Sequence, residues 1–273
     1  MPDIYGTDAY SPPEIAQRIE AVGVKKAKLP LLSLFCLAVL AGGFIALGAM
    51  FYTVVASDPG LGFAAQRLLG GLVFCLGLIL VVIAGAELFT GNNLMVMAWV
   101  DRKITARLLW RNLVIAYLGN FVGAAGIASL VMYSGHLGTG LDRDPSDLYI
   151  TAMRIAAAKC AMPFAAAFFK GVLCNLLVCL AVWLAMAALS VEGKILAILF
   201  PITAFVAAGF EHCVANMYFV PLGIFIEAPG ASWSAFVWKN LLPVTLGNLF
   251  GGAGMVGLIY YLIYLRGEKV QGD

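Results

Sequence analysis

The chain has 273 residues, of which 62% are hydrophobic and only 12% charged, with a mean hydropathy of +0.95 and a formal net charge of +2. That balance excludes a soluble globular protein and places the chain in a bilayer, whose core demands long apolar segments. So small a charge, with no basic cluster alternating with exposed aromatics, also excludes a nucleic-acid partner.

Residues 1–28 are polar, and from Ser11-Pro12-Pro13 onward they place Ile15, Ile19 and Val22 on one helical face, with Lys25, Lys26 and Lys28 at the end. This predicts a cytoplasmic amphipathic helix lying on the membrane surface, dispensable for assembly of the rest. Six apolar runs follow, at about 29–56, 67–98, 108–134, 155–190, 194–227 and 237–265. Each is long enough for a span, which takes roughly 20 residues. They define a channel-sized domain over 29–266 and leave a short cytoplasmic tail, 267–273. The six cysteines (Cys36, Cys75, Cys160, Cys174, Cys179, Cys213) lie in these runs without CxxC or Cys/His ligand spacing. They read as small buried hydrophobes, and no metal or other cofactor is expected.

The second and fifth runs are interrupted. Gly85-Ala-Glu-Leu-Phe-Thr-Gly-Asn92 and Gly209-Phe-Glu-His-Cys-Val-Ala-Asn-Met217 put a carboxylate and an amide among residues that would otherwise face lipid, and Glu87 and Glu211 are 124 residues apart. Irregular backbone at membrane depth survives only where protein or a cavity covers it, so two broken helices are expected. Trp110-Arg-Asn-Leu113 with Leu118-Gly-Asn120 matches Trp238-Lys-Asn-Leu241 with Leu246-Gly-Asn248 at an offset of 128. The chain is therefore two repeats of three spans each, about 29–134 and 155–265. Three is odd, so the repeats are inverted, and the site lies at the midplane where the broken helices meet. Lys and Arg concentrate in the loops on the N-terminal side, which predicts both termini cytoplasmic and an external 135–158 loop carrying Asp142 and Asp144. Glycine pairs such as Gly119/Gly123 and Gly247/Gly251 imply close backbone approach and a compact, channel-like unit.

Taken together, Gly85–Gly91, Asn175-Leu-Leu-Val-Cys-Leu-Ala-Val-Trp183, Gly209–Met217 and Pro243-Val-Thr-Leu-Gly-Asn248 resemble the formate/nitrite transporter family over about residues 13–266. Arg102-Lys-Ile-Thr105, Phe219–Ile224 and Tyr260–Arg266 look more like its formate branch, while Gly85–Gly91 leans toward the nitrite branch. The resemblance implies an all-α, aquaporin-like fold of six transmembrane helices, assembled as a homopentamer in the inner membrane with one pore per protomer. It implies Thr90 and His212 facing each other in the pore, Asn175 and Asn248 as nearby polar groups, and Lys159 at the external mouth. Phe74, Leu78, Leu88, Phe89, Val178 and Phe205 would form the narrow apolar slits.

Read from the residues themselves, His212 can titrate near physiological pH and so could lend a proton to an anion that must cross an apolar slit. Glu87, Glu211, Asn92 and Asn216 read as structural support, satisfying backbone freed at the breaks. Lys170 lies about three helical turns beyond Lys159 and is expected in a protomer interface, with Lys159 in the vestibule. The function that follows is a channel or transporter for a small monovalent anion, formate first, with a proton as its companion. Nitrite or hydrosulfide in the same architecture is the alternative, and a neutral-solute channel a weaker one. With no serine–histidine or metal-ligand pair within a span, an enzyme is not expected.

Overall fold

A computed structural model describes residues 9–138 and 145–266; Asp142, Asp144 and the expected tail 267–273 lie outside the described residues. Those residues are helical almost throughout, with no strand beyond a single bridge between Ala9 and Ala188.

The first repeat opens with α1 (Pro12–Ala27). Its two leading prolines preset the helical φ, and the Ser11 amide and hydroxyl both donate to the Glu14 carboxylate at 2.7 Å. α1 does not lie on lipid as expected: Ile15, Ala16 and Ile19 are buried against Leu94, Met97, Trp183 and Tyr261 of the same chain. The apolar face of the helix has found protein instead. There follow α2 (Leu31–Ala56), α3 (Phe63–Gly85), a break at 86–88, then α4 (Phe89–Asn92), a tighter turn Asn93–Met95, α5 (Val96–Val100), and the long α6 (Ala106–Tyr133).

The second repeat has the same order: α7 (Asp147–Ala161), α8 (Phe164–Ala187), α9 (Val191–Ala207), a break at 208–212, α10 (Cys213–Phe225) and α11 (Trp233–Leu265). Among the described residues five helices are each long and apolar enough to cross a membrane; the remaining span is shared between α9, of 17 residues, and α10, of 13. The run expected as one span over 155–190 is two helices. Pro163 lacks an N–H and forces Met162 into extended geometry (φ −67, ψ 134), which ends α7 and lets α8 restart. α7 is thus the counterpart of α1 and sits at the other end of the molecule.

Small residues let the main pairs close up. A Cβ added to Gly123 would strike the Val39 carbonyl oxygen of α2, and one on Gly251 would strike the Val172 carbonyl oxygen of α8. Gly119 and Gly247 repeat this one turn earlier against residues 35–39 and 168–172. The two repeats therefore pack α2 on α6 and α8 on α11 in the same way, with small-xxx-small spacing allowing backbone-to-backbone approach. Five of the cysteines are buried as expected; Cys36 is exposed on α2.

Candidate functional site

Each break begins at a glycine in the left-handed region, Gly85 (φ 82) and Gly209 (φ 71), a conformation that costs other residues a Cβ clash. The chain then runs extended through Ala86 and Leu88 in one repeat and through His212 in the other before the next half-helix starts. The freed backbone groups are met by one asparagine per repeat. Asn120 accepts from the Phe89 N–H at 2.9 Å and donates to the carbonyls of Ala38 (2.7 Å) and Glu87 (3.0 Å). Asn248 accepts from the Cys213 N–H at 2.9 Å and donates to the carbonyls of Gly171 (2.8 Å) and Glu211 (3.0 Å). An amide suits this task because it both accepts and donates, which a carboxylate cannot.

The carboxylates instead face lysines. Lys26 lies 2.9 Å from Glu87 and donates to Asn92 at 2.8 Å, Asn92 donates to Glu87 (2.7 Å) and to Asn112 (2.8 Å), and Asn112 donates back to the Lys26 carbonyl (3.2 Å). In the other repeat Lys159 donates to both Glu211 oxygens (3.0 and 2.9 Å), Asn216 donates to Glu211 and to Asn240 (2.8 Å each), and Asn240 donates to the Lys159 carbonyl (3.2 Å). The carboxylates and asparagines of both clusters are buried and the lysines half-buried; each charge is paired and the carboxylates' remaining lone pairs are largely bonded, the condition under which a buried ion pair survives. Lys26, Asn112 and Asn240 were not among the expected site residues. The repeated Trp-x-Asn-Leu motif contains both asparagines, and Lys26 lies 133 residues before Lys159; that recurrence was the available signal. Lys26, expected among headgroups, turns inward because Glu87 would otherwise be a buried unpaired charge.

Where the repeats differ, chemistry appears. Leu88 occupies the place that His212 takes in the second repeat. His212 caps α10: its Nδ1 accepts from the Ala215 N–H at 3.1 Å, and its Nε2 lies 2.9 Å from Thr90 Oγ1. With Nδ1 serving as an acceptor, the neutral ring carries its proton on Nε2 and donates it to Thr90. The Thr90 carbonyl in turn accepts from Asn175 (3.3 Å), which also donates to the Asn248 carbonyl (2.7 Å).

Two cavities approach these groups. One, of about 400 Å³, opens beneath α1 and is lined by Lys26, Glu87, Leu78 and Leu88 among others. The second, of about 270 Å³, opens beneath α7 and is lined by Lys159, Glu211, Phe74, Phe205 and His212. Phe74 and Phe205 meet edge to face at 5.6 Å, and Phe205 lies parallel to the His212 ring at 6.0 Å. Leu78 and Leu88 line the first cavity, and Phe74 and Phe205 the second. Phe89 and Val178, expected in the slits, line neither cavity: the Phe89 ring packs edge-on against Tyr117 at 4.9 Å and Val178 is buried in α8. Asn175 and Asn248, expected beside the path, also line neither and are engaged in holding the breaks. Lys170, expected at an interface, lines the α7-side cavity, as does Arg67. The break at Pro163 removes the continuous helix on which the three-turn spacing from Lys159 rested.

Residues 13–262 match the formate/nitrite transporter family. The chain is 41% identical over 274 residues to a probable formate transporter of Methanothermobacter thermautotrophicus, covering 96% of this chain and 99% of that one. It is 38% identical over 277 residues to the formate channel FocA of Escherichia coli (strain K12), covering 95% and 96%. A solved structure described as a pentameric formate channel with formate bound superposes with a TM-score of 0.79 at 38% identity, over 86% of this chain and 98% of that one. Agreement of sequence and fold over nearly the whole chain makes it a member of the formate/nitrite transporter family.

Proposed function

We propose that the protein is a pore for small monovalent anions, formate by preference, in which His212 lends the anion a proton in transit. The observation that carries this reading is the Thr90–His212 hydrogen bond at the floor of the α7-side cavity, beside the Phe74–Phe205 slit. A bare anion entering that slit would lose its hydration against apolar walls, a cost of several kcal/mol or more; a neutral acid would not. In the resting state Nε2–H points at Thr90. An arriving anion replaces Thr90 as acceptor, a solvent proton entering through the α7-side cavity that His212 lines is taken up at Nδ1 at the expense of the Ala215 bond, and Nε2–H passes to the carboxylate; exchange of the Nδ1 proton with solvent for one on Nε2 then resets the tautomer. The ring returns to neutral, the acid crosses, and it ionises again in the cavity beyond. The related probable formate transporter and formate channels support formate as the anion.

The same reading takes the protein as a homopentamer in the inner membrane with both termini cytoplasmic. Supporting it are the pentameric relative, the exposed large apolar side chains such as Phe63, Phe169 and Phe200, and the lysine- and arginine-rich loops on the α1 side. Purified protein in liposomes, challenged separately with formate, nitrite, hydrosulfide and glycerol under a set pH gradient, tests it. Formate entry with proton uptake is expected to be fastest; faster glycerol entry would sink the anion reading. His212→Asn keeps size and hydrogen bonding without titrating, and should assemble yet lower proton-coupled formate uptake on the order of a hundredfold. Thr90→Val removes only a hydrogen-bonding partner, about 0.5–1.5 kcal/mol, and should lower it no more than about tenfold. Undiminished proton-coupled uptake by His212→Asn would make the histidine a structural cap alone.

A further inference from the structure

The two mouths of the path share a scaffold but not a charge. In the α1-side cavity the lining charges are Lys25, Lys26 and Glu87; Lys26 is neutralised by Glu87, and Lys25 is exposed. In the α7-side cavity they are Arg67, Lys159, Lys170 and Glu211, three cations against one carboxylate. Lys159 is the cation the family resemblance places at this mouth, yet its ammonium is held by both oxygens of Glu211 at 3.0 and 2.9 Å. The pair is electrically closed, and the surplus positive charge of this mouth belongs to Arg67 and Lys170. Among the described residues neither of those two is in an ion pair, and both are half-buried.

Both stand against the break that carries His212. An Arg67 guanidinium nitrogen lies 3.2 Å from where a Cβ on Gly209 would be, so it rests on the bare backbone at the start of the break; its ring contact with Phe63 is long at 5.4 Å. Lys170 takes the Glu211 N–H on its carbonyl at 3.3 Å. Its counterpart in the first repeat is Leu37, whose carbonyl takes the Glu87 N–H at 3.2 Å, and Leu37 lines the opposite cavity as Lys170 lines this one. Two positions on a common scaffold thus change from leucine to a titratable or cationic residue, 37 to 170 and 88 to 212, and both changes fall on the α7 side. Nothing in the scaffold needs Lys170 to be charged, since its structural bond is made by its backbone.

Resting on the anion-pore reading above, we propose that Arg67 and Lys170 form a recruiting site for small monovalent oxyanions and carboxylates in the α7-side vestibule. They, rather than Lys159, set the concentration at which that mouth saturates. A half-buried cation several ångströms from the anion, at the intermediate dielectric of a vestibule, raises local anion concentration about fivefold, and added salt screens the gain.

The test uses full-length protein in liposomes, sorted by capture of an N-terminal tag so that formate meets one mouth only. Lys170→Leu, which installs the residue of the first repeat, and Arg67→Gln should each raise the half-saturating formate concentration about fivefold from the α7 side at low salt. The difference should shrink in 0.3 M salt and be absent from the α1 side, and Lys170→Arg should keep the native value. Wild-type uptake alone judges the anion-pore reading; the ratio of variant to wild type judges the recruiting site. Formate-dependent thermal stabilisation of detergent-solubilised protein, at constant ionic strength, gives a readout that needs no transport and should be weakened in both neutral variants. An unchanged half-saturation with unchanged stabilisation in Lys170→Leu and Arg67→Gln, or an equal shift from either side, would overturn the proposal.

Discussion

At the scale of single residues, the site is governed by what must not be left alone in a bilayer. Glu211 is buried, with 5% of its side chain exposed, and its partner Lys159 keeps 14%. Replacing one member strands the other, and the cost of such a stranded charge, on the order of 3–5 kcal/mol, exceeds what the intact pair contributes. Glu211→Gln is therefore expected to lower the melting temperature of the purified protein severely, whereas Asn240→Ala, which removes the bond accepted from Asn216 and those donated to Glu211 and the Lys159 carbonyl but leaves the ion pair, should cost about 1–3 kcal/mol. Equal and small effects would mean that water, not the lysine, satisfies the carboxylate. His212 differs from these in kind. It is bonded through both nitrogens, yet its Thr90 partner can be exchanged for an incoming acceptor without unfolding a break.

At the scale of elements, α1 covers one cavity and is held by a polar cluster. Ile19, Val22, Gly23 and Lys26 line the α1-side cavity; apart from it, the Glu20 carboxylate accepts from Lys103, Lys103 sits 3.4 Å from Asp101, and the Tyr261 hydroxyl donates to Asp101 at 3.1 Å. Glu20, Asp101 and Lys103 line a separate pocket together with Gln17 and Lys25. Burial pushes the Glu20 carboxyl above its ordinary 4.5; the hydrogen bond to Lys103 pulls it down, and the neighbouring Asp101 adds to the rise. Lys103 is itself raised, chiefly by its bond to Glu20. The docked helix thus takes up a proton on Glu20 that a released helix gives up, in the window between 4.5 and the raised value. Docking tightens as pH falls through that window and loosens as pH rises through it, with no further change above it, while the contribution of Lys103 is constant until pH exceeds its ordinary 10.5. Hydrogen-exchange protection of residues 15–27, corrected for intrinsic rates, should rise on acidification, and Glu20→Gln should flatten that dependence. Truncation is informative only if it stops short of Lys26. Removing residues 1–22 should leave assembly intact and abolish any pH dependence of flux that α1 imposes, whereas removing 1–28 strands Glu87 and should reduce the yield of folded protein.

At the scale of the whole molecule, two copies of one packing plan meet around the breaks. Their close contacts are glycine against backbone, so the expected sensitivity is steep. Gly123→Ala and Gly251→Ala each force a Cβ onto a carbonyl oxygen and should cost at least about 1–3 kcal/mol, read as lost thermal stability. Gly43→Ala meets only the Ile127 side chain at 3.6 Å and should be tolerated. The membrane class, the repeats, the two breaks and the inverted plan were legible in the sequence, because polar residues at bilayer depth and a glycine before each are costly enough to stand out. The helix start at Ser11 and the end of α7 at Pro163 were local signals too, although the second was overridden by the length of the apolar run around it. What only the tertiary structure decided is which partner each polar group finds. Lys26 turns to Glu87, 61 residues away in sequence, rather than to lipid headgroups; Asn248 bonds to a backbone break; Phe89 leans on Tyr117; and Lys170 lines a cavity. Sequence spacing fixes the face of a helix on which a side chain stands, but the partner on that face belongs to another helix. In a membrane, where an unpaired polar group has no water to fall back on, that partner determines what the residue does.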